Sequence, residues 1–216
     1  KEITVYTGVP VRDEFYPYST AEQRAAKVEL GFDADRPLVV ATGGGLGAKE
    51  INYAVPAIAS QLLDAGSSLY HITGREPYER VSGEALKDDR YKVVPFVYDG
   101  LSRVYGAADV VVTRASATTL QELASSAKAT VAIPNSSLGD QIENAKLYEK
   151  EGAARMLTDE ILMDKPEELL SVIETLLQKD DEREKLASKL ASYSRPNAAR
   201  DVARIILEVK KQGRKK

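Results

Sequence analysis

The stretch Pro37-Leu38-Val39-Val40-Ala41-Thr42-Gly43-Gly44-Gly45-Leu46-Gly47-Ala48 joins a short apolar run to a helical pattern through five residues, four of them glycine. An apolar run of this length, closed by glycines and followed by 3.6-residue periodicity over 48–65, reads as the first strand–helix unit of a parallel sheet. The alternation then continues along the chain. Strands are expected at 37–42, 68–73, 91–95, 109–113, 129–133 and 153–157, with helices at 48–65, 78–87, 100–107, 118–126 and 141–151. Asp109-Val110-Val111-Val112-Thr113 has no polar face, which suits a central strand covered on both sides. From Pro166 onward the pattern is helical only, with breaks near 179–181 and 194–196. The expected class is α/β, a doubly wound parallel sheet with a C-terminal helical layer.

The 216 residues, 43% of them hydrophobic, suffice for one well-buried core, and one domain is expected over 1–216. Lys1-Glu2-Ile3-Thr4-Val5-Tyr6-Thr7 also reads as a strand, with no methionine before it, so a preceding domain is expected and residues 1–20 are read as an interdomain strand and linker. Residues 197–216 are read as a closing helix, apolar at Ala198, Val202, Ile205, Ile206 and Val209, followed by a basic tail. That tail could meet anionic lipid or simply be a solvated end. A net charge of −3 argues against a nucleic-acid partner. With no cysteine there are no disulfides and no thiolate metal sites, and a cytoplasmic location is expected. No apolar run reaches the ~20 residues that span a bilayer.

Ligands of such sheets bind in the loops at the carboxyl ends of the strands, so those loops carry the functional reading. In the first, glycines Gly43 to Gly47 let backbone N–H groups approach a ligand, and the helix that follows points its positive end at them, a geometry suited to phosphate. A tight turn needing one or two glycines is the plainer reading. No Gly-Lys-Ser/Thr follows, which excludes a Walker A loop, and the second strand ends Tyr70-His71-Ile72-Thr73 without the acid of a dinucleotide fingerprint. The loop Arg114-Ala115-Ser116-Ala117-Thr118-Thr119-Leu120-Gln121-Glu122 offers N–H and hydroxyl groups at a helix start. Glu122 could take both hydroxyls of a ribose, or could close a capping box with Thr119. The loop from Pro134 to Asn144 is rich in groups suited to sugar hydroxyls. His71, the only histidine, reads as a buried structural residue, and neither a Ser-His-Asp triad nor a zinc site is expected.

Taken together these loops resemble the MurG family of glycosyltransferases, family 28 with the GT-B fold. Thr7-Gly8-Val9-Pro10-Val11-Arg12 is similar to the family's junction segment, and Gly43 to Ala48 with Ile51-Asn52 to its glycine loop. Tyr70 to Gly74, Pro95-Phe96-Val97, Arg114 to Leu123, and Asp140 to Ala145 with Glu151 to Ala154 follow in the family's order. The resemblance implies a Rossmann-like half of a GT-B fold, the C-terminal half that binds the donor UDP-GlcNAc. It implies transfer of GlcNAc, with inversion, to a lipid-linked acceptor for peptidoglycan. Arg12 would contact the nucleotide, Val97 the uracil, Gly44 and Gly45 with Ala117, Thr118 and Thr119 the diphosphate and sugar, Glu122 the ribose, and Asp140, Gln141 and Asn144 the GlcNAc. No cofactor and no metal are implied, and the general base is expected on an N-terminal acceptor domain. The sequence departs from the family at Val9, Gly45, Ile72, Ser116 and Asp140. Two other readings stay open: a stand-alone subunit that needs a membrane-bound partner, and a non-catalytic UDP-sugar binder.

Overall fold

The computed structural model describes residues 4–213. Among them, β1 (Leu38–Thr42), β2 (Ser68–Ile72), β3 (Tyr91–Val94), β4 (Val110–Arg114), β5 (Ala129–Ile133) and β6 (Arg155–Met156) form one sheet in the order β3-β2-β1-β4-β5-β6. Every pairing is parallel. Val40 pairs with Tyr70 on one side and Val111 on the other, so β1 and β4 run together at the centre. The chain steps outward one way from β1 to β3 and the other way from β4 to β6. The reversal between β1 and β4 opens a crevice at their carboxyl ends.

Both faces of β1 and β4 are buried because their apolar residues alternate between two cores. Val39, Ala41, Val110 and Val112 belong to one core, under α2 (Lys49–Asp64), α7 (Asp159–Asp164) and α8 (Pro166–Gln178). Leu38, Val40 and Val111 belong to the other, under α1 (Thr20–Glu29), α4 (Leu101–Ala107), α5 (Ala117–Ser125) and α6 (Gly139–Lys150). Leu62, Leu63, Leu120, Leu162 and Leu169 are almost wholly buried, each worth about 1.5–3 kcal/mol over an exposed side chain. Helix α3 (Tyr78–Glu84) covers the β3 edge, while α9 (Asp180–Ala191) and α10 (Ala198–Gly213) complete the C-terminal layer. At the opposite end of the sheet from the crevice, Asp109 accepts from Lys27 Nζ at 2.7 Å, Leu38 N at 2.7 Å and Gln23 Nε2 at 3.1 Å, fastening α1 to the start of β1 and β4.

The expected class and strand positions hold, with several corrections. Residues 4–7 are not a strand, and 1–3 lie outside the described residues. The segment joins no strand of the sheet; residues 5–9 instead line a cleft against α5 and α6. The last strand shortens to Arg155–Met156 because the N–H groups of Ala153 and Ala154 both turn back to Tyr148 O, finishing α6. Helix α3 stops at Glu84, where Ala85 becomes extended. Helices α1 and α7 are not anticipated, although the Ser19–Glu22 capping box that starts α1 is legible in the sequence. On α10, Val202 and Ile205 are half-buried, but Ile206 and Val209 are 61% and 64% exposed, so that face is only partly covered. Arg214 to Lys216 of the basic tail lie outside the described residues.

His71 bears out its structural reading. It is fully buried on β2, with Nδ1 3.1 Å from Tyr91 OH and Nε2 2.9 Å from Asn52 Oδ1. Asn52 Nδ2 donates to Thr73 O at 2.9 Å, which leaves its amide oxygen to accept from Nε2–H and the phenol to donate to Nδ1. The relay ties α2 to the loop after β2. Burial lowers the His71 pKa from 6.5 to about 3, so the folded protein keeps it neutral while the unfolded chain takes up a proton. Its share of stability is therefore intact above pH 6.5 and is lost as pH falls from 6.5 toward 3. Urea unfolding of the chain and of His71→Gln at pH 7 and pH 5 should show the stability gap between them narrowing by about 2 kcal/mol on acidification. An unchanged gap would contradict the neutral buried imidazole.

Candidate functional site

The glycines of the β1 loop divide into two groups. A Cβ on Gly43 would lie 2.1 Å from Ala48 N, one on Gly47 2.2 Å from Thr73 O, and one on Gly74 2.5 Å from Gly47 N. Gly47 and Gly74 let the loops after β1 and β2 touch backbone to backbone, while Gly43 lets the first loop fold back on the start of α2. Gly47 also has φ +80°, a region that disfavours any side chain. Gly44 and Gly45 form the exposed tip, where a Cβ on Gly44 meets nothing within 4 Å. The Gly44 N–H is already taken by Thr42 Oγ1 at 3.1 Å, and its carbonyl accepts from Gly47 N at 3.1 Å. Gly44 therefore shapes the tip through its φ of +78°, while the N–H groups of Gly45 and Leu46 have no acceptor among the described residues. Helix α2 begins directly behind, without a side-chain cap.

Across the crevice, α5 starts at Ser116, not at Thr119. The Ser116 hydroxyl accepts from Thr119 N at 3.3 Å and donates to Thr119 Oγ1 at 2.9 Å. This corrects the capping-box reading of Thr119 and Glu122, which lie one and two turns into a helix that is already capped. It also gives Ser116 a positive role as the cap of α5. Thr119 N–H is consumed, and the N–H groups of Ala117 and Thr118, both exposed, remain free at the positive end of α5. Glu122 is half-buried with no hydrogen-bond partner among the described residues. Burial raises its pKa, the field of Arg12 lowers it, and Glu14 raises it, with burial the largest influence. Arg12 itself is exposed, pairs with Glu14 at 2.8 Å and lies 5.4 Å over the Phe15 ring.

One guanidinium holds these loops in place. Arg114, at the end of β4 and 8% exposed, donates to Pro134 O at 3.2 Å and pairs with Glu50 in the first turn of α2 and with Asp159 of α7. Asp159 in turn accepts from Ser136 N at 3.0 Å. Asn144 Nδ2 donates to Ala115 O at 3.3 Å, and Gln141 Oε1 accepts from Asn135 N at 3.1 Å, so one end of each amide braces a loop and the other end has no partner among the described residues. Asp140 is exposed in the first turn of α6 and forms no side-chain hydrogen bond or ion pair among the described residues. Val97, in the loop after β3, packs against the α4–α5 core.

A cleft of about 350 Å³ lies between residues 5–9 and helices α5 and α6, lined by Ala117, Gln121, Asn144 and Tyr148. Gln121 and Tyr148 were not singled out from the sequence. They bond to each other, Nε2 to OH, at 3.2 Å. Each stands four residues after a predicted site residue, Ala117 and Asn144, and that spacing shares a helix face and could have revealed them. A larger groove of about 760 Å³, lined by Lys87, Asp88, Arg90 and Tyr91, sits at the amino end of β3, the wrong end of the sheet for ligand binding. The two glycine groups should respond differently to substitution. Gly47→Ala is expected to cost about 2–4 kcal/mol, from positive φ and the clash with Thr73 O. Gly45→Ser, which meets only Phe96 Cε2 at 3.3 Å, is expected to stay within about 1 kcal/mol. Thermal unfolding of both variants checks this, and equal losses would contradict it.

Residues 38–202 match the family model of the glycosyltransferase family 28 C-terminal domain. The UDP-N-acetylglucosamine–N-acetylmuramyl-(pentapeptide) pyrophosphoryl-undecaprenol N-acetylglucosamine transferase of Cytophaga hutchinsonii is 30% identical over 213 residues, covering 98% of this chain and 56% of the relative. The protein of the same name from Paenarthrobacter aurescens is 35% identical over 213 residues, covering 94% of this chain and 55% of that protein. The crystal structure of MurG from Acinetobacter baumannii superposes with a TM-score of 0.73 at 26% identity, over 93% of this chain and 57% of that one. The chain thus spans a little over half the length of the relatives it matches. It belongs to glycosyltransferase family 28, through that family's C-terminal domain.

Proposed function

We propose that this chain is the donor-binding domain of a GlcNAc transferase, taking UDP-GlcNAc for transfer to a lipid-linked diphosphate acceptor in peptidoglycan synthesis. The observation that carries the reading is the convergence at one crevice of free backbone N–H groups from two loops and a carboxylate without a partner. Gly45 and Leu46 on one side, and Ala117 and Thr118 on the other, can donate to a diphosphate without moving. Glu122 can accept from both ribose hydroxyls, and Arg12 sits where its charge reaches Glu122 and the nucleotide. Gln141 and Asn144 keep one amide end each for the sugar, with Thr119 in the first turn of α5 and Asp140 in the first turn of α6. Val97 offers its backbone to the base.

In the reaction the acceptor oxygen bonds to the anomeric carbon as the bond to the UDP oxygen breaks, inverting the configuration. The negative charge that grows on the departing diphosphate meets the four N–H groups and the positive ends of α2 and α5. The acceptor's proton passes to a base on a second, acceptor-binding domain that faces the crevice across residues 4–20. Residues 1–216 then act as one UDP-sugar domain, working on the cytoplasmic face of the membrane where a lipid-linked acceptor is presented. Among the described residues no helix is long and apolar enough to cross a membrane.

Calorimetry with UDP-GlcNAc, UDP and GDP tests the reading, with at least tenfold tighter binding of UDP than GDP expected and no preference overturning it. Glu122→Gln should weaken UDP binding about tenfold, or about 1.4 kcal/mol, and should weaken 2′-deoxy-UDP less, since only the 3′ hydroxyl is left to donate to the carboxylate. Because burial raises the Glu122 pKa, affinity should fall on acidification above the usual 4.5, and should not do so in the variant.

A further inference from the structure

Arg75 stands in the loop after β2 and has no role in the reading above. Its guanidinium lies 4.4 Å from the centroid of Phe96 and 5.1 Å from that of Tyr98, and the two rings meet edge to face at 5.0 Å and 74°. Phe96 in turn abuts the glycine-loop tip, where a Cβ on Gly45 would be 3.3 Å from its Cε2. Arg75 forms no ion pair among the described residues, although Glu76 follows it and Arg80 nearby has found Glu84 at 3.2 Å. Stacking occupies the flat face of a guanidinium and leaves the N–H donors around its edge free. The side chain is thus held in place before any ligand arrives, which lowers the entropy cost of binding. Beside it, the N–H groups of Gly45 and Leu46 have no acceptor among the described residues. An arginine fork without a carboxylate next to free backbone donors fits an oxyanion, and a diphosphate matches both the fork and the donors.

We propose that Arg75, positioned by Phe96 and Tyr98, is a diphosphate-binding residue at the glycine-loop tip. This rests on the donor-site reading. Two diphosphates meet at such a site, that of the nucleotide and that of a prenyl-linked acceptor, and their shared chemistry is what Arg75 recognises.

The test is calorimetry on the 216-residue chain and on Arg75→Met, which keeps the packing on the rings and removes the charge. The ligands are UDP, uridine and geranyl diphosphate. A tenfold or greater loss for UDP with uridine unchanged assigns Arg75 to the nucleotide diphosphate. The same loss confined to geranyl diphosphate assigns it to the acceptor side. Changes under twofold for both diphosphates, or equal losses for UDP and uridine, overturn the proposal. Phe96→Leu should reproduce part of the Arg75→Met loss, since it removes the surface that holds the guanidinium. A wild-type chain that binds UDP no better than GDP refutes the donor reading, whereas selective wild-type binding left intact in Arg75→Met refutes only the role of Arg75.

Discussion

Arg114 is the point at which the separate loops of this domain become one site. A guanidinium that is 8% exposed must satisfy its donors inside the protein, and it does so on Glu50, Asp159 and the carbonyls that end β5. The three partners come from α2, α7 and the loop after β5, so a single side chain fixes the start of the helix behind the glycine loop and the far wall of the crevice together. Removing it would strand two acidic groups in a half-buried setting, a defect of about 3–5 kcal/mol. The arginine at this position is therefore a strut beneath the site.

Above that strut the chemistry belongs to the backbone. Gly47 and Gly74 permit two loops to close on each other, Gly43 lets the first fold back on the start of α2, and the N–H groups of Gly45 and Leu46 stay without an acceptor among the described residues. Ser116 caps α5 at one donor only and leaves Ala117 and Thr118 open. Gly45 brings no side-chain donor to the tip, so the donors there are the free N–H groups on both walls of the crevice. Glu122 is a half-buried carboxylate on α5 with no hydrogen-bond partner among the described residues, a state that costs stability and that ribose hydroxyls would relieve.

Much of this was legible in the sequence. Alternating strand and helix patterns set the class, and the unbroken apolar run at Val110 to Val112 marked the centre of the sheet. The glycine loop, Ala117, Thr118, Glu122, Gln141 and Asn144 all stand at the crevice or the cleft beside it. What escaped depends on contacts between distant residues. The N-terminal segment has strand-like residues but finds no sheet edge to join, so composition misleads there. The capping box suggested by Thr119 and Glu122 lost to Ser116, because the strand before it ends at Arg114 and the helix starts early. Gln121, Tyr148 and Arg75 carry no local signal strong enough to mark them. Arg75 in particular acquires its setting from rings about twenty residues further on, across a strand pairing that spacing alone does not reveal.

The central claim is that a nucleoside diphosphate is held by backbone donors on the two walls of the β1/β4 crevice. Amide chemical shifts of the ¹⁵N-labelled chain during a UDP titration test it most directly. The account predicts that the largest changes fall on Gly45, Leu46, Ala117 and Thr118, with Glu122 close behind. Changes that cluster instead on Lys87 to Tyr91, at the groove on the other end of the sheet, would contradict it.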